Sequence, residues 1–208
     1  EEFPRAVYEE LEGANTSQPT CETRLDLTRL ESFTIDDERT LDRDDAFSVE
    51  KDTIWIHITD MASIINDHPL TEEEAMGRAA SLYLPELKIP MLPKLLSEET
   101  GSLNPGKIRP CISLKISLDG NGNIHGFNFE ETMIKTTASF SYGQVDKILS
   151  SKNENHPEPF YKVAALADKY KEERISNGAI SLDRPEMIIE LNKQMEVAVR
   201  LIEKESKS

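Results

Sequence analysis

Ile112, Leu114, Ile116 and Leu118 alternate with polar residues without a break, and Asp119-Gly120-Asn121-Gly122 follows directly. Period-two alternation running into a glycine-containing turn predicts an antiparallel hairpin whose return strand begins at Ile124. Ala46-Phe47-Ser48-Val49 and Thr53-Ile54-Trp55-Ile56-His57-Ile58 repeat the pattern around a tight turn at Lys51-Asp52. A third hairpin is predicted from Met187 to Leu191 and Met195 to Ile202, turning at Asn192-Lys193. Helical signals lie between these pairs. Ala6 to Leu11 is a short candidate, and Thr71-Glu72-Glu73-Glu74 carries the capping-box signature of a helix running to about Leu82. Tyr142 to Leu149 and Glu158 to Arg174 are predicted helices, the second stopped by Asn177-Gly178. Gly13 to Thr20 reads as a loop, and Pro85, Pro90 and Pro93 keep Leu84 to Lys94 extended. Strands and helices intermixed in this way place the chain in the α+β class, a mixed or antiparallel sheet with packed helices.

At 208 residues the chain can bury a core without a disulfide or metal staple. No run of 18 apolar residues exists, so no membrane span is expected, and the start Glu1-Glu2-Phe3-Pro4-Arg5 has no secretory signature. Cys21 and Cys111 match no zinc spacing and read as ordinary thiols of a reducing compartment. The net charge of −15 repels nucleic acid and anionic membranes on average.

Local fields differ from averages. Between Glu31 and Glu50 stand eight acids against Arg39 and Arg43. Asp36, Asp42, Asp44 and Asp45 sit at offsets 0, +6, +8 and +9 just ahead of a strand. Carboxylates this close repel one another unless a cation neutralises them, and hard oxygen donors suit Mg²⁺. Two such ions about 3.5–4 Å apart would activate a water and stabilise a leaving oxygen in phosphodiester cleavage. A plain solvated acidic loop is the competing reading, and it fits Glu31, Asp37 and Glu38. A calcium loop counted from Asp42 fails, because its sixth position is Phe47 where the turn requires Gly. Trp55 and His57 read as structural, and Met133, Met187 and Met195 as core filler.

Thr34-Ile35-Asp36 through Asp42-Arg43-Asp44-Asp45-Ala46 resembles the active-site signature of the ribonuclease II/R (RNB) exoribonuclease superfamily. Four further blocks resemble the family in the same order. They are Ile56-His57-Ile58-Thr59-Asp60, Ser81-Leu82-Tyr83-Leu84-Pro85 with Ile89-Pro90-Met91-Leu92-Pro93, Ser102-Leu103-Asn104-Pro105-Gly106, and Ser141-Tyr142-Gly143-Gln144-Val145. Arg24-Leu25-Asp26-Leu27-Thr28 with Asp42-Arg43-Asp44 looks most like cyanobacterial and plastid members.

The resemblance implies a 3′→5′ exoribonuclease that degrades single-stranded RNA to nucleoside 5′-monophosphates with Mg²⁺, Mn²⁺ serving as a substitute. It implies metal ligation by Asp36, Asp42, Asp44 and Asp45, with Asp44 the aspartate on which cleavage most depends. It gives Tyr83 a base-stacking role, and sets Tyr142 beside the terminal nucleotide to fix the scissile phosphate. Read from the residues alone, each tyrosine is more readily an amphipathic core residue with a wet hydroxyl. Residues 1–30 read as a lead-in and 31–208 as the first half of an RNB catalytic domain. Cold-shock and S1 domains, and with them the RNA-capturing charge, are expected elsewhere. Around Arg184-Pro185-Glu186-Met187 no aromatic stands where some members place a stacking phenylalanine. The alternative is a non-catalytic RNB-like scaffold for RNA or protein, which four surviving aspartates argue against; a calcium-loop protein ranks below both. Bacterial cytoplasm is the expected compartment and a plastid the second; no protein partner is legible.

Overall fold

A computed structural model of the chain describes residues 2–13, 23–84, 87–151, 157–180, 186–191 and 196–202. In chain order the elements begin with α1 (Arg5–Gly13), β1 (Leu25–Asp26), β2 (Ser32–Asp36), β3 (Asp45–Glu50), β4 (Thr53–Thr59), α2 (Met61–Ile65) and α3 (Pro69–Arg78). There follow β5 (Leu82–Tyr83), β6 (Lys88–Ile89), a π-helical turn (Leu95–Thr100), β7 (Ile108–Leu118) and β8 (Ile124–Ser141). The last elements are α4 (Tyr142–Ser151), α5 (Glu158–Ser176), β9 (Glu186–Leu191) and β10 (Val197–Ile202). They fall into two units, Glu1–Ala80 with Pro90–Tyr142 and Ser81–Ile89 with Gly143–Ser208. No described helix is long and apolar enough to cross a membrane.

The first unit is organised by β8. This strand pairs antiparallel with β7 from Ile124 to Lys135, then parallel with β2 from Thr136 to Ser141. Since β2, β3, β4 and β7 also pair in that order, β8 joins both ends and the sheet closes on itself. Closure removes the exposed edges that an open sheet must protect. The sheet is mixed, as the α+β assignment requires: β1 and β2 run parallel to β8, and the remaining pairs are antiparallel.

Its buried face is unusually polar. Ser32, Ser48, His57, Ser113 and Thr132 are all fully buried. Their side chains form one line across five strands. Ser32 Oγ lies 2.8 Å from Ser48 Oγ, and Ser48 Oγ 3.0 Å from His57 Nε2. His57 Nδ1 lies 2.7 Å from Ser113 Oγ, and Ser113 Oγ 2.6 Å from Thr132 Oγ1. Small hydroxyl residues fit the inside of a narrow closed sheet, and every buried polar atom in this line finds a partner. Leu27, Ala46, Trp55, Leu103, Cys111 and Ile134 pack beside it. The isoleucines of β4 are therefore turned the other way, with Ile56 and Ile58 exposed. Trp55 and His57 are structural, as their place on the strand suggests.

A helical layer forms the second core. Val7 and Leu11, one turn apart on α1, pack with Phe3, Ile64, Ala75, Leu92 and Leu96. Here the capping box at Thr71 is not used. Pro69 occupies the first helical turn of α3, so the helix starts earlier, with His68 as N-cap. The free N–H groups are satisfied from α1 instead. The Glu10 carboxylate accepts from Leu70 N and Thr71 N, both at 2.9 Å, and from Thr71 Oγ1 at 2.6 Å. Ala79 in a left-handed conformation, φ 61°, ends the helix before Leu82. Glu10→Ala should therefore destabilise the chain by about 1–2 kcal/mol, the usual value of a lost cap. Urea denaturation at neutral pH reads this directly, and an unchanged midpoint would show the cap to be dispensable.

In the second unit β5, just ahead of the Leu84 to Lys94 stretch expected to be extended, pairs antiparallel with β6 inside it. α5 ends at Asn177-Gly178 as predicted, with Gly178 at φ +94° donating its N–H to Ile175 O. β9 and β10 pair antiparallel from Glu186↔Ile202 to Leu191↔Val197. Their predicted turn and Met195 lie outside the described residues, as does the Gly13 to Thr20 loop beyond Gly13. Met133 is buried as expected, whereas Met187 is largely exposed on its two-stranded ribbon and fills no core.

Candidate metal centre

Asp36 is the last residue of β2 and Asp45 the first of β3. These strands are antiparallel neighbours, with Ser32 opposite Ser48 and Phe33 opposite Phe47. The closed sheet thus brings both aspartates to one end, with residues 37–44 as the connection between them. Asp37 is spent on that connection: its carbonyl accepts from Thr40 N and its carboxylate from Arg39 N. It belongs to the loop, as the solvated reading held.

The rest of the connection is pinned to a distant segment. Ser102 Oγ donates to Leu41 O at 2.7 Å and accepts from Arg43 N at 3.1 Å. Leu103 N donates to Arg43 O at 2.8 Å, and Thr59 N to Asp44 O at 2.8 Å. Thr59 in turn donates its hydroxyl to Gly101 O. Asp42 and Asp44 therefore leave a backbone fixed on both sides, with the Asp44 side chain open to solvent.

The carboxylates feel one another. Burial raises the Asp36 carboxyl above its ordinary range; Thr34 and Arg43 oppose this, while the charges of Asp44 and Asp42 add to it. Asp45 is raised by partial desolvation first, then by Asp44 and Asp36. Asp36 Oδ2 is buried and has no hydrogen-bond partner. Arg43 Nε, at 3.8 Å, is its nearest counter-charge and is beyond hydrogen-bonding distance.

Among the described residues, no three His, Cys, Asp or Glu side chains stand close enough to share one ion as they are. The donor set nevertheless suits Mg²⁺, which keeps several waters and takes only one or two protein carboxylates. An orphaned, buried carboxylate oxygen facing like charges is the local feature that such a cation would satisfy.

Tyr142 joins this end through register. Ser141, the last residue of β8, is paired with Asp36, so Tyr142 follows immediately at the start of α4, about half exposed. Tyr83 lies on β5 in the second unit, 68% exposed, with Lys88 Nζ 5.2 Å from its ring centre. Both rings are accessible for stacking rather than buried in a core. Arg43, Thr59, Ser102 and Asn104 were not legible as site residues. All four lie in blocks that resemble the family, but nothing in their own spacing reveals what they hold. Cys111 is no nucleophile: burial pushes its thiol up to about 12.

A model of the RNB domain matches residues 24–208. An uncharacterized ribonuclease of Synechocystis is 34% identical over 97% of the chain, and ribonuclease R of Chlamydia pneumoniae 31% identical over 98%. In each case the chain spans 31% of the relative's own length. The structure of Mycoplasma genitalium RNase R in complex with ribose-methylated single-stranded RNA superposes with a TM-score of 0.85 at 27% identity. That match covers 99% of this chain and 34% of the other.

Proposed function

The chain belongs to the RNB domain family, and from that premise we propose that it supplies the metal-binding part of an Mg²⁺-dependent 3′→5′ exoribonuclease. Its substrate is single-stranded RNA and its products are nucleoside 5′-monophosphates. One observation carries the reading: strand pairing gathers Asp36 and Asp45 at one end of a closed sheet, with Asp42 and Asp44 on the pinned connection and Tyr142 next in register.

Asp36, Asp42, Asp44 and Asp45 would hold the metal. Bound there, Mg²⁺ supplies Lewis acidity and a water of lowered pKa. The protein's own part is positional. The pinned 41–44 backbone keeps the carboxylates from collapsing onto other donors. Tyr142 holds the terminal nucleotide, and Tyr83 stacks on a base, an interaction of about 1–3 kcal/mol that is indifferent to sequence. Water attacks the last phosphodiester, the P–O3′ bond breaks, and the shortened strand leaves with a protonated 3′ oxygen. The freed nucleotide keeps phosphate on its 5′ oxygen. Sequence tolerance and end-wise action suit RNA degradation in a bacterial cytoplasm.

Polarity tests the reading. A 3′-labelled single strand should lose its label as mononucleotide from the earliest times, while a 5′ label stays in a shortening ladder. RNA retained on the protein with both labels intact would favour a non-catalytic scaffold.

A further inference from the structure

Arg43 stands inside the carboxylate sequence yet faces away from solvent, its side chain 19% exposed. Three contacts hold it. Its N–H donates to Ser102 Oγ, its carbonyl accepts from Leu103 N, and Nη1 donates to Asn104 Oδ1 at 3.0 Å. Asn104 is itself fixed, donating Nδ2 to Glu98 O at 3.0 Å. The guanidinium is thus held by a frame of backbone and side-chain contacts, with Nε 3.8 Å from Asp36 Oδ2. Both atoms are buried and lack hydrogen-bond partners.

An arrangement in which two buried, opposite charges face each other without a hydrogen bond is not optimised as an ion pair. A pair selected for stability would close to a bidentate contact. Here the Asn104 anchor holds the guanidinium, and Asp36 keeps one oxygen unclaimed. We infer that Arg43 is the resident counter-cation of the cluster and competes with the divalent ion for Asp36, so that metal affinity is set below what the four carboxylates alone would give. The fixed positive charge keeps the empty cluster from self-repulsion, and it opposes a second positive charge arriving at the same carboxylate. The inference rests on the reading of these aspartates as metal ligands.

The test is metal binding by the whole chain, measured by titration calorimetry with Mg²⁺ and by counting bound Mn²⁺ from its electron-spin resonance signal. Arg43→Gln should bind about tenfold more tightly than wild type, and Arg43→Lys, which keeps the charge, should stay within about twofold. In an Asp36→Asn background the gain from Arg43→Gln should shrink to about twofold, because the contested carboxylate is gone. A larger Mg²⁺-dependent rise in melting temperature should accompany the tighter binding. Arg43→Met carries the same expectation should the glutamine variant fail to fold. Equal or weaker binding by the folded neutral variants, with wild type binding normally, overturns the competition and leaves the metal site standing. No binding by wild type or any variant overturns both.

Discussion

Asp44→Asn should lower the rate of RNA cleavage by about 10²- to 10³-fold and leave affinity for single-stranded RNA within a few-fold. The geometry separates the two effects. Thr59 N holds the Asp44 carbonyl at 2.8 Å, so an isosteric change of the side chain leaves the backbone in place. The side chain itself points into solvent beside Asp36 and Asp45, whose carboxyls register its charge. Removing that charge removes a cation ligand rather than a packing group. Single-turnover rates give the first number. Affinity at one stated salt concentration gives the second, since binding to a polyanion is uninterpretable without it. A variant that cleaves normally, or one that loses RNA binding in proportion to rate, would contradict the role assigned to Asp44.

The second large effect is on stability. His57 is fully buried between Ser48 and Ser113, and burial lowers its pKa from 6.5 to about 4. The unfolded chain takes a proton on this residue below about pH 6.5, whereas the folded chain resists until about pH 4. Over that window the unfolded state binds more protons, so stability is full above pH 6.5 and falls as pH drops. The loss should reach about 3 kcal/mol at pH 4. Asp36 and Asp45 act with the opposite sign, since their raised carboxyls relieve strain on protonation. The His57 contribution is therefore read as the difference between wild type and His57→Gln across urea titrations from pH 8 to pH 4. The variant should be less stable at pH 7, because Ser48 or Ser113 loses its partner, and should have a flatter profile. Parallel profiles would mean that His57 has the same pKa folded and unfolded.

What could be read from the chain beforehand was what repeats locally. The alternation of Ile112 to Leu118, the paired runs around Lys51-Asp52, and the Asn177-Gly178 stop each lie within a few residues of what they specify. β2 escaped because five residues, Ser32-Phe33-Thr34-Ile35-Asp36, pair in parallel with a strand more than a hundred positions later. No local pattern encodes such a pairing. The same distance hid the cap on α3, where Glu10 serves N–H groups some sixty residues away and displaces the nearer signal at Thr71. In the site, the carboxylates were conspicuous because charge density is a local property. Ser102, Leu103 and Asn104 fix the backbone between them only after folding, and that frame gives Arg43 its place. Met187 looked like core because methionine usually is; on a two-stranded ribbon it is exposed.

The most direct test of the central claim is a time course of the chain on a 5′-labelled single-stranded RNA, run with Mg²⁺ and again with chelator. The account predicts a ladder that shortens from the 3′ end with Mg²⁺ and stops when the ion is withdrawn. RNA left intact in Mg²⁺, or shortened equally with the ion chelated, would contradict it.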